Sequence, residues 1–281
     1  MRRRRTRLRQ RHPRRRRRRA GLTLGGLLID LDGVLYVEDE PIEGSAETVA
    51  AIRDRGLTCR FVTNTTSRSR RQILERLGRL GFEVAPEELI TPAALARARC
   101  ADAGHSRVAL VMNEQVKEDF EGLTEADEDV DAVIMGDLGE AFGFPILNQT
   151  FRQVMDGAEL IALQKNRFWM TPEGLALDAG PFVAAIEYAT GREALVVGKP
   201  AAAFFELVLE GMGLEPGRAA MVGDDVETDV GGAIEAGLSG ILVRTGKYRR
   251  EFVERSGIEP TATIDSIARL TALLADDARW R

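Results

Sequence analysis

The chain has 281 residues, of which 44% are hydrophobic and 6% aromatic, and no uninterrupted apolar run approaches the ~18 residues of a membrane span. This length suits one large domain or two modest ones with a substantial core. The two cysteines exclude a disulfide framework and a cysteine-ligated zinc cluster, and they favour a reducing compartment, for which we expect the cytoplasm.

Charge is divided unevenly along the chain. Residues 1–20 hold 13 arginines and no acid, whereas the remainder has 26 Lys and Arg against 44 Asp and Glu, a net charge of −18. An acidic body argues against nucleic acid as the main substrate, because phosphodiester backbones are bound through clustered basic charge. The basic tail could bind nucleic acid or acidic surfaces. We expect it to be disordered, or to precede the working start of the chain near Gly21.

From Gly21 onward, short apolar runs alternate with amphipathic stretches, which predicts an α/β fold with a parallel sheet. The first strand ends at Asp30, and the next helix has Ser45 as its N-cap and ends at Gly56. The other core elements predicted are strands over 57–62, 194–197, 219–222, 240–243 and 262–264, and helices over 70–80, 203–211 and 228–236.

The middle of the chain has a different character. Residues 91–192 contain their own strand candidates over 108–112, 132–135 and 160–163. We therefore predict a Rossmann-like core formed by 21–90 and 193–281, with 91–192 inserted as an α/β cap domain. The core would then be discontinuous in sequence.

Two carboxylates follow the first strand. Asp30 and Asp32 come directly after the apolar run that starts at Leu27, and because alternate side chains of a strand share a face, both acids point the same way. Their repulsion calls for a bound cation or for a neutralised carboxyl. The alternative is a strand that simply runs into an Asp-Gly turn.

Polar side chains also follow three later strands. They are Thr63 with Asn64, Lys199, and Asp224 with Asp225. Because ligands bind at the carboxyl ends of the strands in an open parallel sheet, we expect these groups to meet Asp30 and Asp32 in one crevice. Several carboxylates beside a phosphate suit Mg²⁺, and Lys199 and Thr63 would hold the phosphate.

Each of these residues has a simpler interpretation when it is taken alone. Thr63 could be a turn former, Lys199 a solvated loop residue, and Asp225 and Asp229 favourable charges at a helix N-terminus. The segment 240–247 resembles a phosphate-binding loop, but Tyr follows it where Ser or Thr is needed to ligate the metal. We interpret that segment as a strand and a turn.

In chain order, the motifs resemble those of haloacid dehalogenase superfamily phosphatases. The matching residues are Asp30-Leu31-Asp32-Gly33-Val34, Thr63, Gly198-Lys199-Pro200 and Gly223-Asp224-Asp225 with Asp229 beyond. The insertion of 91–192 between the second and third motifs resembles the NagD-like branch, in which an α/β cap sits over the active site. The resemblance covers nearly everything after residue 20.

The resemblance implies a mechanism and a ligand set. Asp30 would attack phosphorus to form an aspartyl-phosphate, and Asp32 would protonate the leaving group and then deprotonate the attacking water. The phosphate would be bound by Thr63, the main chain around Asn64, and Lys199. The implied Mg²⁺ ligands are Asp30, Asp32 through its main-chain carbonyl, and Asp224, with Asp229 in the outer sphere.

The chain departs from the branch at two points. Close members tend to carry Ser where this chain has Asp32, so the acid/base is intact here. The wider branch has a Thr-Asn-x-Asp element in the cap, where this chain reads QKNRFW over 164–169. The aromatic pair Phe168 and Trp169 could stack on a substrate or only pack inside the protein. Lys165 and Arg167 could bind a second phosphate or a carboxylate, or only face solvent.

These observations favour a Mg²⁺-dependent phosphatase that acts on a small phosphorylated substrate. The resemblance implies a phosphoramidate or pyrophosphate as substrate, while phosphate esters such as sugar phosphates and nucleotides stay possible, and no membrane partner is expected. The resemblance also makes the cap a candidate homodimer surface. The alternative is a non-catalytic nucleic-acid-binding protein that uses the arginine tail on an α/β scaffold. The pair of Asp30 and Asp32 counts against it, since a scaffold has no need for mutually repelling acids in a crevice.

Overall fold

The structure is a computed structural model that describes residues 24–171 and 174–275. The arginine-rich residues 1–20 and the side chain of Trp169 lie outside the described part. The strands are β1 Gly26–Asp30, β2 Tyr36–Val37, β3 Glu40–Pro41, β4 Thr58–Val62, β5 Leu89–Ile90, β6 Arg107–Val111, β7 Thr124–Glu125, β8 Ala132–Met135, β9 Glu159–Ala162, β10 Phe168–Thr171, β11 Gly174–Leu177, β12 Leu195–Val196, β13 Ala219–Gly223, β14 Ser239–Val243 and β15 Ala262–Ile264.

Helices alternate with these strands. They are α1 Ser45–Asp54, α2 Arg70–Arg79, α3 Pro92–Ala103, α4 Glu114–Lys117, α5 Phe144–Met155, α6 Ala179–Thr190, α7 Ala202–Met212, α8 Gly232–Glu235, α9 Arg250–Ser256 and α10 Leu270–Leu274, with a π-helical turn at Val226–Gly231 before α8. The predicted helix over 228–236 is thus a π-helical turn followed by α8. None of the helices in the described ranges has the length and apolarity that a bilayer crossing requires.

The first sheet is parallel, and in the described residues it has six strands in the order β15-β14-β13-β1-β4-β5. β1 and β13 are buried along their whole length, which explains their uninterrupted apolar sequences. The predicted α/β fold with a parallel core sheet is confirmed. The carboxyl ends of β1, β4 and β13 lie side by side at one edge of this sheet.

The second sheet is also parallel, with the order β12-β9-β8-β6-β7 in the described residues. The position of β12 in this second sheet corrects a prediction. We expected the strand over 194–197 to join the first sheet. Helix α6 packs on the second sheet and β12 follows it directly, so β12 pairs with the open edge at β9. An apolar run is buried equally well in either sheet, and its pattern cannot distinguish them. The division into core and cap domains stays a prediction.

Apolar side chains form a continuous core between the two sheets. Leu28 and Val62 of the first sheet belong to the same buried cluster as Ile134 and Ile161 of the second. Helices α3 and α7 contribute to it, with Phe204 among their fully buried side chains. The two sheets are therefore joined by packing as well as by the chain.

The start of α1 differs from the prediction in one residue. Gly44, at φ 75°, is the N-cap, and Ser45 is the first helical residue. Glycine adopts this left-handed conformation without a Cβ penalty, so it takes the capping position. The end of the helix is as predicted, since Gly56 follows the last turn at φ 74°.

Candidate active site

A cleft of about 610 Å³ lies at the carboxyl ends of the first-sheet strands. The first sheet contributes Asp30 and Thr63 to its lining, and the segment after β9 contributes Lys165 and Phe168. Asp32, Asn64, Lys199, Asp225 and Asp229 line the same cleft. A larger groove of about 840 Å³ elsewhere, between α2 and α3, contains none of the predicted site residues.

Lys199 forms the centre of a buried ion-pair network. Its Nζ lies 2.6 Å from Oδ1 of Asp30 and 2.7 Å from Oδ1 of Asp229. Burial acts to lower the pKa of Lys199, but the carboxylates of Asp229 and Asp30 outweigh it and hold that pKa above its usual range. Burial also raises the pKa of Asp30, against the opposing effect of Lys199. Lys199 is therefore a fixed cation beside Asp30.

The carboxamide of Asn64 holds the main chain of Lys199. Its Oδ1 accepts from the Lys199 N–H at 2.8 Å, and its Nδ2 donates to the Lys199 carbonyl at 2.7 Å. Asn64 follows β4 of the first sheet, whereas Lys199 follows β12 of the second. The carboxamide is thus occupied by Lys199, and contact with a phosphate falls to the main chain of this segment.

Thr63 follows β4 and is almost fully buried. Its Oγ1 accepts from the Thr65 N–H at 3.0 Å, which shapes a tight turn at the mouth of the cleft. The turn-forming interpretation and the position at the cleft are both observed for this residue. Its hydroxyl donates to Oγ1 of Thr65 at 3.0 Å, and Thr63 is one of the residues that line the cleft.

Asp224 presents one free carboxylate oxygen to the interior. Its Oδ2 accepts from the Lys247 N–H at 2.7 Å, whereas its buried Oδ1 has no hydrogen-bond partner among the described residues. Burial raises the pKa of Asp224 to about 6. A buried acceptor without a partner is costly, so this oxygen is suited to a ligand.

Asp225 and Asp229 have different roles, although both lie at the π-helical turn. Oδ1 of Asp225 accepts from the N–H groups of Glu227 and Thr228, each at 3.0 Å, so Asp225 caps the turn as the simpler interpretation held. Asp229 instead points inward, with Oδ1 on Lys199 and Oδ2 accepting from the Asp225 N–H at 3.2 Å. Burial raises the pKa of Asp229 to about 6, against the opposing effect of Lys199.

Asp32 lies at the open side of the cleft, where its side chain is 49% exposed. Tyr36 donates a long hydrogen bond of 3.4 Å to its Oδ2, and Nη1 of Arg76 lies 3.8 Å from its Oδ1. The Arg76 guanidinium also covers the Tyr36 ring, 4.5 Å from the centroid. An acid at the solvent side can meet both a leaving group and an incoming water.

Three buried carboxylates form a group suited to a cation. Ligand atoms of Asp30, Asp224 and Asp229 lie within 4.8 Å of one another. The Asp32 carboxylate is not part of this group, and ligation by Asp32 through its main-chain carbonyl stays a prediction. Because both oxygens of Asp229 already accept hydrogen bonds, Asp30 and Asp224 are the better placed ligands, and a divalent cation would offset their charge.

The segment after β9 brings cationic and aromatic side chains to the cleft. Lys165 is paired with Glu187 at 2.5 Å. The Arg167 guanidinium lies 5.6 Å from the centroid of the exposed Phe168 ring, and no carboxylate among the described residues forms an ion pair with it.

Comparison with known proteins shows the family. A haloacid dehalogenase-like hydrolase model matches residues 27–124, and a second, HAD-hydrolase-like model matches residues 196–270. The human haloacid dehalogenase-like hydrolase domain-containing protein 2 is 43% identical over 243 residues, which cover 86% of this chain and 93% of the relative. The chain belongs to the haloacid dehalogenase-like hydrolases.

Phosphatases of this family resemble the chain over most of its length. The human phospholysine phosphohistidine inorganic pyrophosphate phosphatase is 35% identical, covering 90% of this chain and 95% of that protein. The structure of a glycerol phosphate phosphatase from Mycobacterium tuberculosis in complex with magnesium superimposes with a TM-score of 0.74 at 29% identity, covering 88% of this chain and 76% of that one. The predicted family and the predicted enzyme class, a phosphatase, are confirmed.

Sequence reasoning missed one part of the site. The turn formed by residues 245–247 after β14 contacts both Asp224 and the Asp30–Gly33 loop. The available signal was a Thr-Gly-Lys sequence two residues after a buried strand, in a segment that we interpreted as a strand and a turn without linking it to the site.

Proposed function

We propose that the protein is a Mg²⁺-dependent phosphatase that forms an aspartyl-phosphate on Asp30 and hydrolyses small phosphorylated molecules. The observation that carries this proposal is the position of Lys199 Nζ, which bridges Asp30 and Asp229 beside the free Oδ1 of Asp224. A carboxylate nucleophile, a fixed cation and a cation-binding oxygen then share one cleft.

In the first half-reaction, a carboxylate oxygen of Asp30 attacks phosphorus in line with the leaving oxygen or nitrogen. The P–O or P–N bond breaks as the Asp30–phosphorus bond forms, and Asp32 gives its proton to the leaving group. Lys199 and the Thr63 hydroxyl bind the phosphoryl oxygens, where negative charge is concentrated.

In the second half-reaction, Asp32 is a carboxylate and takes a proton from water. The resulting nucleophile attacks phosphorus, the acyl phosphate bond breaks, and Asp30 and inorganic phosphate are regenerated. The exposed position of the Asp32 side chain supports this role, because water reaches it from the open side of the cleft.

Asp30 and Asp224 would hold the Mg²⁺. The cation would offset the repulsion between the carboxylates and the incoming phosphate, which is the contribution that a hard divalent ion makes to phosphoryl transfer. The magnesium in the glycerol phosphate phosphatase complex supports this choice of metal.

The segment after β9 supports a substrate with an anionic leaving group. Lys165 is neutralised by Glu187, but Arg167 forms no ion pair among the described residues and faces the same cleft as Asp30. A second phosphate or a carboxylate would pair with that guanidinium. The name of the relative that hydrolyses pyrophosphate and phosphoramidates supports these chemical classes. The predicted homodimer through the cap stays a prediction.

The nucleophile is tested by Asp30→Asn. We expect this variant to lose turnover of p-nitrophenyl phosphate while it keeps the wild-type circular dichroism, because an amide cannot attack phosphorus. Asp265→Asn is the matched control, since Asp265 is exposed and pairs with Arg244 at 2.8 Å, away from the cleft. Unchanged activity in Asp30→Asn would contradict the proposal.

Substrate class and metal are tested together on the purified chain. We expect hydrolysis within a panel of phosphate monoesters, phosphoramidates and pyrophosphate to require Mg²⁺ and to stop in EDTA. Anionic leaving groups are expected to give the higher kcat/KM, and Arg167→Met is expected to remove that preference. Equal rates with and without the metal would exclude the metal-dependent mechanism.

A further inference from the structure

The turn formed by residues 245–247 surrounds one oxygen of Asp224. The Lys247 N–H donates to Oδ2 of Asp224 at 2.7 Å. A Cβ added to Gly246, which has φ 59°, would lie 2.0 Å from that same oxygen. Only glycine at 246 leaves room for the carboxylate, so the turn is built around Asp224.

The same turn also contacts the loop that starts at Asp30. The Thr245 hydroxyl donates to the carbonyl of Gly33. Gly33 has φ 80°, and a Cβ there would also lie 2.0 Å from Oδ2 of Asp224. A Cβ on Gly246 would lie 2.6 Å from the Cα of Gly33. Two loops that follow different strands therefore enclose Oδ2 of Asp224.

This enclosure fixes which oxygen of Asp224 is available. Oδ2 is occupied by the turn, and Oδ1 is the buried oxygen without a partner among the described residues. Because Oδ2 is held by the turn, rotation of the Asp224 carboxylate is restricted. Oδ1 is therefore preorganised as a ligand atom.

We propose that the turn of Thr245, Gly246 and Lys247 positions Asp224 and the Asp30–Gly33 loop relative to each other, so that Asp30 and Oδ1 of Asp224 bind one divalent cation. This inference rests on the proposed function, because it assumes the cation site at Asp30 and Asp224. Thr245, Gly246 and Lys247 are positioning residues and do not ligate the cation themselves.

The test uses Mn²⁺ binding to the full chain, measured by electron paramagnetic resonance without substrate, together with the Mg²⁺ concentration that gives half-maximal activity. Thr245→Val removes the hydroxyl at nearly constant volume, and Thr245→Ser keeps it. Because one hydrogen bond contributes roughly 0.5–1.5 kcal/mol, we expect Thr245→Val to weaken Mn²⁺ binding about 2- to 12-fold. Thr245→Ser is expected to bind Mn²⁺ like the wild type, and Gly246→Ala more weakly than Thr245→Val.

The outcomes separate this inference from the proposed function. Asp224→Asn is the reference for the cation site, and it is expected to abolish Mn²⁺ binding. If Asp224→Asn loses binding but a folded Thr245→Val matches the wild type, the positioning role is wrong and the cation site stands. If the wild type and Asp224→Asn bind Mn²⁺ equally, both proposals fail. Equal losses in Thr245→Ser and Thr245→Val would also overturn the role of the hydroxyl.

Discussion

Asn64 acts on the site through the peptide of Lys199. Two hydrogen bonds of 2.7 and 2.8 Å fix the main-chain carbonyl and N–H of Lys199, and Nζ of the same residue reaches Asp30. Because each bond contributes roughly 0.5–1.5 kcal/mol, we expect Asn64→Ala to raise the inhibition constant of inorganic phosphate about 10-fold, with Lys199 less well placed. Competitive inhibition by phosphate measures this change.

A matched control and a double variant separate positioning from general damage. Asn113 also donates its side-chain N–H to a main-chain carbonyl, that of Thr66, but it does not line the cleft. Asn113→Ala is therefore expected to leave phosphate inhibition unchanged. In a Lys199→Met background, Asn64→Ala should add little to the loss of phosphate affinity; full additivity would show that Asn64 acts independently of Lys199.

The residues that sequence predicted best are those that follow buried strands. Asp30, Thr63 and Asp224 could be placed together because parallel strands end at the same edge of a sheet. The contacts of Asn64 and of residues 245–247 could not be predicted, since they join segments that lie far apart in sequence and depend on side-chain direction. A strand pattern carries no information on that direction beyond the strand itself.

At the scale of elements, the N-terminus of α2 is held by groups from two parts of the chain. Ser69 and Gln72 form a reciprocal cap, and both carboxylate oxygens of Asp119 accept from the Arg70 N–H at 3.1 and 3.0 Å. These groups satisfy donors that a helix otherwise leaves unpaired. Because Asp119 belongs to the segment after α4, this contact ties the loop that follows Thr63 to the predicted cap.

We expect Asp119→Ala to lower the free energy of unfolding by about 1 kcal/mol, the usual cost of a lost helix cap. Asp119→Asn keeps an acceptor for the Arg70 N–H and should lose less. Urea denaturation measures both variants, with Asp102→Ala, at an exposed position of α3, as the control. A loss in Asp102→Ala as large as that in Asp119→Ala would argue against the capping role.

Helix α3 shows why part of the predicted cap was not anticipated. Its buried residues, Pro92, Ala93, Leu95, Ala96 and Cys100, face the core between the two sheets. Alanine stands at buried positions of α3 (Ala93, Ala96) and at exposed ones (Ala98, Ala101), so apolar residues do not mark one face and amphipathic periodicity, the main sequence signal for a helix, is weak there. Helices α1 and α2 were predicted within one or two residues.

At the scale of the molecule, the active site is divided between two sheets that share a core. Asp30 ends β1 and Asp224 follows β13, both of the first sheet, whereas Lys199 follows β12 of the second. The buried cluster that contains Leu28 and Ile161 joins these sheets. We therefore expect the geometry of the site and the packing between the sheets to be lost together on unfolding. The sequence pattern could not indicate this coupling, because it assigned β12 to the first sheet.

Phe204 tests this coupling. It is fully buried in the shared cluster and meets Phe205 edge to face, with ring centroids 5.1 Å apart. Truncating a buried Phe to Ala costs about 3–5 kcal/mol, so we expect Phe204→Ala to lower the urea midpoint of unfolding substantially. Far-UV ellipticity and phosphatase activity should shift by the same amount, because both sheets depend on this core.

Phe252→Ala provides the control, since the Phe252 side chain is largely exposed and its removal should leave the urea midpoint nearly unchanged. Two separate transitions in Phe204→Ala, with activity lost at a lower urea concentration than ellipticity, would mean that the sheets unfold independently. Coincident transitions would instead show that the two sheets unfold as one cooperative unit.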